Sequence, residues 1–345
     1  MTAVLFDTVS IVFGDRPELA LPLMDAGQSR SEIQAACGQI LGVHDCSLEV
    51  AEGEIVVLMG LSGSGKSTLI RAVNALNPVC RGEVRVSDGA GMVSVTKAGA
   101  DTLRRIRLTR VAMVFQQFGL LPWRSVAENV GLGLELGGMG RGEREARVKE
   151  KLALVNLTDW AERRVSELSG GMQQRVGLAR AFATEAPILL MDEPFSALDP
   201  LIRTKLQDEL LKLQDALRRT IIFVSHDLDE AFKIGNRIAL MEGGRIVQCG
   251  TPTEIVSHPA NAYVAEFVAH MNPLGVLRAG SLMRPNLTGL DDTDLPHVPA
   301  DTPLRELISL RLEKGDEMIV TEAGRPVGRI GEAEILSALA GRREA

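Results

Sequence analysis

The segment that decides the fold is Glu54–Leu76, which reads EIVVLMGLSGSGKSTLIRAVNAL. Its first part, Glu54–Met59, is a short apolar run of the kind found in strands that are buried on both faces. Glycines and serines follow, and the apolar residues of TLIRAVNAL then recur with a helical period. The order of strand, glycine loop and helix predicts the start of an α/β fold.

The glycine loop, residues 60–68, matches the pattern GxxxxGK[ST]. Backbone N–H groups of such a loop surround phosphate oxygens, and the helix that follows presents its positive end. Lys66 would reach the β- and γ-phosphates and Ser67 would bind Mg²⁺. A plain flexible loop is the alternative, which the flanking strand and helix disfavour. The predicted nucleotide-binding residues are Gly60, Ser62, Gly63, Ser64, Gly65, Lys66, Ser67 and Thr68.

A second apolar run ends in two adjacent carboxylates. The sequence ILLMDEP spans residues 188–194 and reads as a strand followed by Asp192 and Glu193. Asp192 is predicted to hold Mg²⁺, and Glu193 to polarise the attacking water as a general base. An ordinary strand that ends in a polar turn is the alternative, which the phosphate loop makes less favourable.

Other apolar runs alternate with helical patterns along the chain. Asp199 and Pro200 supply an N-cap and a first-turn proline for one of these helices. Alternation of this kind predicts a mostly parallel sheet covered by helices. Further strands are predicted at Ala3–Phe13, Val111–Phe115 and Thr220–Val224, with a hairpin that pairs Ile238–Met241 and Ile246–Cys249.

Composition limits the classes of function. The chain has 345 residues, enough for about two domains at roughly 150 residues each. Its net charge of -7 and aromatic content of 3% give no reason to expect a nucleic-acid partner. Apolar runs stay short of a membrane span, and the first residues do not resemble a signal peptide. We therefore expect a cytosolic chain that reaches a membrane only through a partner.

The segment LSGGMQQR, residues 168–175, opens another predicted helix. Ser169, Gly170 and Gly171 combine a hydroxyl, bare backbone and a helix N-terminus, which together favour an anion. A plain helix cap is the alternative. This string resembles the signature motif of ABC transporter ATPases, and the resemblance covers Thr2 to about Ala269.

The resemblance implies how ATP is bound. In that family the phosphate loop of one subunit and the signature motif of another enclose each nucleotide, so the chain would pair head to tail with a second copy. Ser169, Gly170, Gly171 and Asp199 would then contact nucleotide in trans, with Asp199 in the segment SALD at the dimer seam.

The resemblance also assigns three residues near the reaction. Gln116 in VFQ resembles the glutamine that senses Mg²⁺ and the attacking water. His226 resembles the histidine that contacts the γ-phosphate. Such ATPases stack an aromatic residue on adenine, and Phe13 is the candidate here, with a core strand aromatic as the alternative.

A finer resemblance concerns the transported solute. The strings MGLSGSGKST and FQQFGLLPWRSVAENV, with the insertion before Gly42, are similar to ATPase subunits of glycine betaine, proline and choline importers. LPWRSVAENVGLGLEL is most similar to the choline uptake subunit. This implies membrane permease subunits as partners, an extracytoplasmic solute-binding protein as an indirect one, and a peripheral location on the cytoplasmic face of the inner membrane. An importer of another solute, a soluble ABC ATPase and a regulatory module without turnover are the alternatives.

Two domains are predicted. Residues 1–270 form the P-loop ABC ATPase domain, with a helical subdomain at about 118–170, and residues 275–345 form a small α+β domain. The tail reads as helix, hairpin and helix, and residues 283–339 resemble a single CBS motif. The last five residues, GRREA, do not form an anionic tail. We expect the tails of two copies to pair, with a passive appendage as the alternative.

Overall fold

The computed structural model describes residues 1–269, 273–285, 295–314 and 317–339. The chain divides into two compact units, Met1–His226 with Ala239–Val247, and Asp227–Ile238 with Gln248–Ala345. The boundary predicted at 271–275 lies partly outside the described residues, and the domain limits stay a prediction. The final segment GRREA also lies outside them.

The strands are β1 Thr2–Phe13, β2 Ile40–Ala51, β3 Ile55–Met59, β4 Arg81–Ser87, β5 Met92–Ser94, β6 Val111–Val114, β7 Ile188–Asp192, β8 Thr220–Val224, β9 Arg237–Glu242, β10 Arg245–Gly250, β11 His297–Pro299, β12 Glu317–Glu322 and β13 Arg325–Gly331. The helices are α1 Leu21–Asp25, α2 Arg30–Cys37, α3 Lys66–Ile70, α4 Ala100–Thr109, α5 Val126–Leu136, α6 Arg141–Leu154, α7 Gly170–Ala183, α8 Pro200–Leu217, α9 Leu228–Ile234, α10 Pro252–Ser257, α11 Ala262–Val268, α12 Pro273–Val276, α13 Ala279–Leu282, α14 Leu304–Lys314 and α15 Glu332–Leu339.

Six strands form the central sheet, in the order β10-β9-β3-β8-β7-β6. The pairs β3–β8, β7–β8 and β6–β7 are parallel. Every residue of β3, β7 and β8 is buried, which explains why their sequences are continuously apolar rather than alternating. The predicted α/β fold with a parallel sheet is therefore confirmed.

A second sheet was not predicted. It is antiparallel, with the order β2-β1-β4-β5, and its long strands β1 and β2 pair along most of their length. The inserted segment between β1 and β2 folds as a short 3₁₀ turn followed by α1 and α2. Ser29 caps α2 and forms a capping box with Glu32.

One helix is shorter than its sequence pattern. The helix after the phosphate loop is regular only to Ile70, whereas its apolar period continues to Leu76. Ala75 has a φ of 55°, which a regular helix does not contain.

The predicted cap of α8 at Asp199 is present, since its side chain accepts a hydrogen bond from the N–H of Ile202. Helices α5 and α6, which lie in the region predicted as a helical subdomain, pack on each other and on α7, which follows that region.

The small C-terminal sheet has the order β11-β12-β13, in which β11 pairs parallel and β13 antiparallel with β12. The predicted helix, hairpin and helix are present as α14, β12–β13 and α15. The three-residue strand β11 was not predicted, because its sequence is too short to show a period. Within the described residues, none of the helices is both long and apolar enough to cross a bilayer.

Candidate active site

Four adjacent parallel strands point their carboxyl ends at one edge of the central sheet. The phosphate loop follows β3 and His226 follows β8. Asp192 is the last residue of β7, Glu193 comes directly after it, and Gln116 follows β6. Because ligands of parallel α/β sheets bind outside the carboxyl ends of the strands, these residues meet at a common site.

The path of the phosphate loop requires glycine at two positions. Gly60 has a φ of 139°, and a Cβ there would lie 2.1 Å from the carbonyl oxygen of Met241. Gly65 has a φ of 103°, and a Cβ there would lie 2.7 Å from the carbonyl oxygen of Gly42. Only glycine permits both this backbone conformation and this close approach. The loop is thus held against β2 and β9 without side chains between them.

The ammonium group of Lys66 lies within the loop. Its Nζ donates to the carbonyl oxygens of Gly60 and Leu61 at 2.8 and 2.9 Å. The residue is only 6% exposed. Burial lowers the pKa of Lys66, while the carboxylates of Glu193 and Asp192 act in the opposite direction. The loop therefore holds the partly desolvated ammonium group of Lys66 where phosphates are predicted to bind.

Asp192 is fully buried, and both of its carboxylate oxygens have partners. Ser67 Oγ donates to one oxygen at 2.7 Å, and Arg71 donates to the other at 2.8 Å. A buried carboxylate requires such partners to offset its desolvation. Arg71 has no recognisable sequence signal, because an arginine in a helix normally reads as a solvated residue.

The Ser67–Asp192 pair fits a magnesium ion. Ser67 Oγ and a carboxylate oxygen of Asp192 lie 2.7 Å apart, and both are oxygen donors of the kind that Mg²⁺ prefers. Ser67 and Asp192 would hold the ion, which when bound neutralises charge on the phosphates.

The structure brings together the three residues predicted to act in hydrolysis. Gln116 Nε2 donates to Glu193 Oε2 at 3.0 Å, and His226 Nδ1 lies 3.5 Å from the same oxygen. The backbone of Glu193 has a φ of 48°, and its N–H donates to the carbonyl of Val224. One carboxylate oxygen is thus positioned from two neighbouring strand ends. The magnesium role predicted for Gln116 stays a prediction.

These residues line one cavity of about 640 Å³. That volume is suitable for a nucleotide-sized ligand. Phe13 is one of the lining residues and is 37% exposed, and a Cβ on Gly42 would lie 2.8 Å from its ring. The lining residues are Phe13, Arg30, Gln34, Ile40, Leu41, Gly42, Ser62, Gly63, Gly65, Lys66, Ser67, Thr68, Gln116, Glu193 and His226.

The residues predicted to act in trans lie elsewhere. Ser169 caps α7 and Asp199 caps α8, each accepting a hydrogen bond from its own helix. Ser169, Gly170 and Asp199 are exposed, and neither they nor Gly171 line the cavity. Their contact with nucleotide therefore stays a prediction.

Gln174 connects the segment 168–175 to residues 193–197, which follow β7. Sequence reasoning did not single out Gln174. Its buried amide donates to the carbonyl of Glu193 at 3.3 Å and accepts from the N–H of Ala197 at 3.1 Å. The residue belongs to the quoted string LSGGMQQR, but only the tertiary structure shows what it contacts. Helix α7 is therefore hydrogen-bonded to two backbone groups of the segment that connects β7 to α8.

Known proteins resemble this chain over most of its length. Residues 43–196 match the family described as ABC transporter. The chain is 45% identical to the glycine betaine/proline betaine transport system ATP-binding protein of Escherichia coli, over 95% of this chain and 80% of that one. It is 37% identical to the choline transport ATP-binding protein of Bacillus subtilis, over 85% of this chain and 75% of that one. A solved dimeric ATP-binding cassette, bound to ADP and phosphate, superposes with a TM-score of 0.62 at 31% identity, covering 72% of this chain and 98% of that one.

Proposed function

The chain belongs to the ABC transporter family, and on that premise we propose that it is the ATP-hydrolysing subunit of an importer for a quaternary amine. The observation that carries the proposal is the common cavity lined by Lys66 of the phosphate loop and by the group Gln116, Glu193 and His226. A buried ammonium group and a hydrogen-bonded carboxylate therefore line one space, which supports binding and hydrolysis of ATP there. A regulatory module without turnover would not need that carboxylate.

The proposed reaction uses the chain's own groups in a simple order. Lys66 and the loop backbone hold the β- and γ-phosphates of ATP. Glu193 accepts a proton from the attacking water, with its Oε2 oriented by Gln116 and His226. Catalysis then consists mainly of positioning and charge neutralisation.

We propose that a second copy completes each site. Ser169, Gly170 and Asp199 are exposed, and they do not line the cavity of their own chain. In a head-to-tail pair they would contact the nucleotide of the other copy. Gln174 would then connect that contact to Glu193 through its two hydrogen bonds.

We also propose a permease partner on the cytoplasmic face of the membrane. The segment after Gln116 carries Trp123, which is 69% exposed. An exposed tryptophan is a common anchor of protein interfaces. Residues 118–129 would accordingly receive a permease segment, and a solute-binding protein would act on the permease rather than on this chain.

Choline is the solute that the segment 121–136 favours. Glycine betaine is the alternative, supported by the higher identity to the E. coli relative than to the B. subtilis choline protein. The two solutes share a trimethylammonium group. The ATPase does not contact the solute, so transport measurements must separate them.

An uptake experiment tests the proposal. Cells that lack the native gene would receive the wild-type chain, the Lys66→Ala variant, or the control Lys149→Ala, which changes an exposed lysine of α6. We expect Lys66→Ala to reduce labelled choline uptake to background and Lys149→Ala to leave it unchanged. Parallel loss of glycine betaine uptake would extend the proposal to a general quaternary-amine importer. Unchanged uptake of both solutes would contradict the proposal that the chain energises uptake of a quaternary amine.

We propose that the C-terminal tails of two copies pair. Leu312 of α14 is 84% exposed, and Leu336 of α15 is 53% exposed. An exposed leucine on each of these helices is a candidate contact for the tail of a second copy. Pairing of the ATPase units would raise the effective concentration of one tail near the other.

We expect Leu312→Glu to weaken self-association of the full chain with ATP, measured by analytical ultracentrifugation. Glu313→Gln, on the same helix, should leave it unchanged. Because Leu312 is exposed, the substitution should have little effect on folding. Equal association of Leu312→Glu and wild type would favour a passive appendage.

A further inference from the structure

The insertion between β1 and β2 carries a cation that nothing in the reaction above uses. Its helix α2 begins at Arg30, and both Arg30 and Gln34, one turn later, line the nucleotide cavity. We propose that Arg30 is a positioning residue that fixes the phosphate loop for ATP, and that α2 forms one wall of the pocket. This inference rests on the proposed function, since it assigns a further residue to the same site.

The insertion is firmly packed, so the position of Arg30 is defined. Ile33 is fully buried in a cluster with Val12 of β1, Leu41 of β2, and Ala20 and Met24 of the insertion. Helix α2 is therefore fixed to the same end of the antiparallel sheet that carries Phe13.

Arg30 connects two backbone segments of the site. One guanidinium nitrogen donates to the carbonyl of Gly63 at the apex of the phosphate loop, and the other donates to the carbonyl of Gly42 in β2. The N–H of Ser64 donates to the carbonyl of Leu61 at 3.1 Å. The peptide group between Gly63 and Ser64 is thus held at both its oxygen and its nitrogen.

The surroundings leave little room for another arrangement. A Cβ on Gly244, in the turn between β9 and β10, would lie 2.7 Å from Arg30 Nη2. The Nε of Arg30 is buried and has no hydrogen-bond partner among the described residues. Burial lowers the pKa of Arg30, which means that its charge is partly desolvated. Anionic phosphates in the cavity would compensate that charge.

These contacts have a consequence for affinity. A loop that is already in its binding conformation loses less conformational freedom when phosphate binds. Hydrogen bonds from a charged donor are the strong ones. Removing Arg30 should therefore weaken binding of phosphate-bearing ligands and leave ligands without phosphate unaffected.

The test compares ATP with adenosine by calorimetry on the full chain. For Arg30→Ala we expect the Kd for ATP to rise about tenfold, the effect of losing a charged hydrogen-bond donor, with the Kd for adenosine unchanged. Arg30→Lys, which keeps the positive charge and has three N–H donors on one nitrogen, should recover part of the ATP affinity. Arg104→Ala, an exposed arginine of α4, is the matched control and should behave as wild type.

Several outcomes would overturn the inference. ATP binding by Arg30→Ala with wild-type affinity would show that the contacts do not prepare the loop. An equal loss for ATP and adenosine, or no recovery in Arg30→Lys, would show a merely structural role. Failure of the wild-type chain to bind ATP would instead reject the proposed function, so the two failures are distinguishable.

Discussion

The Glu193→Gln variant is expected to lose roughly 10²- to 10⁴-fold in kcat for ATP hydrolysis, the contribution of a positioned general base. Glutamine has nearly the same shape and keeps an oxygen that can accept from Gln116, which lies 3.0 Å away in the native chain. It cannot accept a proton from water at neutral pH. Phosphate release under saturating ATP measures this loss directly.

The same variant should hold two copies together around ATP. Uncleaved nucleotide would keep bridging Lys66 of one copy and Ser169 of the other. The substitution also removes a negative charge that lies near the predicted position of the γ-phosphate. Size-exclusion chromatography with ATP should therefore show a stable dimer for Glu193→Gln, whereas the wild type should return to monomer as ATP is consumed.

The matched control is Glu242→Gln, which changes an exposed glutamate at the end of β9. We expect wild-type turnover from it. Normal turnover by Glu193→Gln would contradict the general-base assignment, and the carboxylate would then have a structural role. A monomer in the presence of ATP, with turnover lost, would contradict the proposed pairing while leaving the chemistry intact.

The strands that build the site could be predicted from sequence, because burial on both faces leaves a direct signal. β3, β7 and β8 are short apolar runs, and each is fully buried. Their ends carry Lys66, Asp192, Glu193 and His226. Parallel pairing then brings these ends to one edge of the sheet. The sequence therefore predicts that residues more than 100 positions apart meet in one cavity.

The antiparallel sheet was not predictable in the same way. Its strand β2 alternates buried and exposed residues over part of its length. A polar insertion directly precedes β2, so the sequence pattern does not show where the strand begins. Strand β5 has only three residues. Phe13 could be proposed from the resemblance, but its proximity to Gly42 depends on the pairing of β1 with β2.

Three residues near the site contact partners that are distant in sequence, so the sequence alone does not reveal their roles. Arg30 binds a carbonyl 33 positions later, Arg71 binds a carboxylate 121 positions later, and Gln174 binds a carbonyl 19 positions later. Each side chain is polar, and each lies in or directly after a helix, where such residues are usually solvated. Only the fold shows what these three side chains contact.

The Lys66→Ala variant is expected to weaken ATP binding about 10- to 150-fold, which corresponds to losing roughly 1.5–3 kcal/mol of charged hydrogen bonding. In the native chain the ammonium group is held by the carbonyls of Gly60 and Leu61, so it needs little reorganisation before it meets phosphate. Calorimetric titration with ATP measures the loss, and Lys149→Ala again serves as the control.

Comparison of ligands identifies the cause of that loss. Adenosine lacks the phosphates that Lys66 is predicted to bind, so its affinity should be the same in Lys66→Ala and in the wild type. ADP keeps the β-phosphate, so its loss should lie between those of adenosine and ATP. If adenosine and ATP weakened equally, the substitution would have disturbed the pocket as a whole, and the phosphate-binding role of Lys66 would be wrong. Unchanged ATP affinity would contradict that role directly, because none of the other lysines in the described part of the chain lines the cavity.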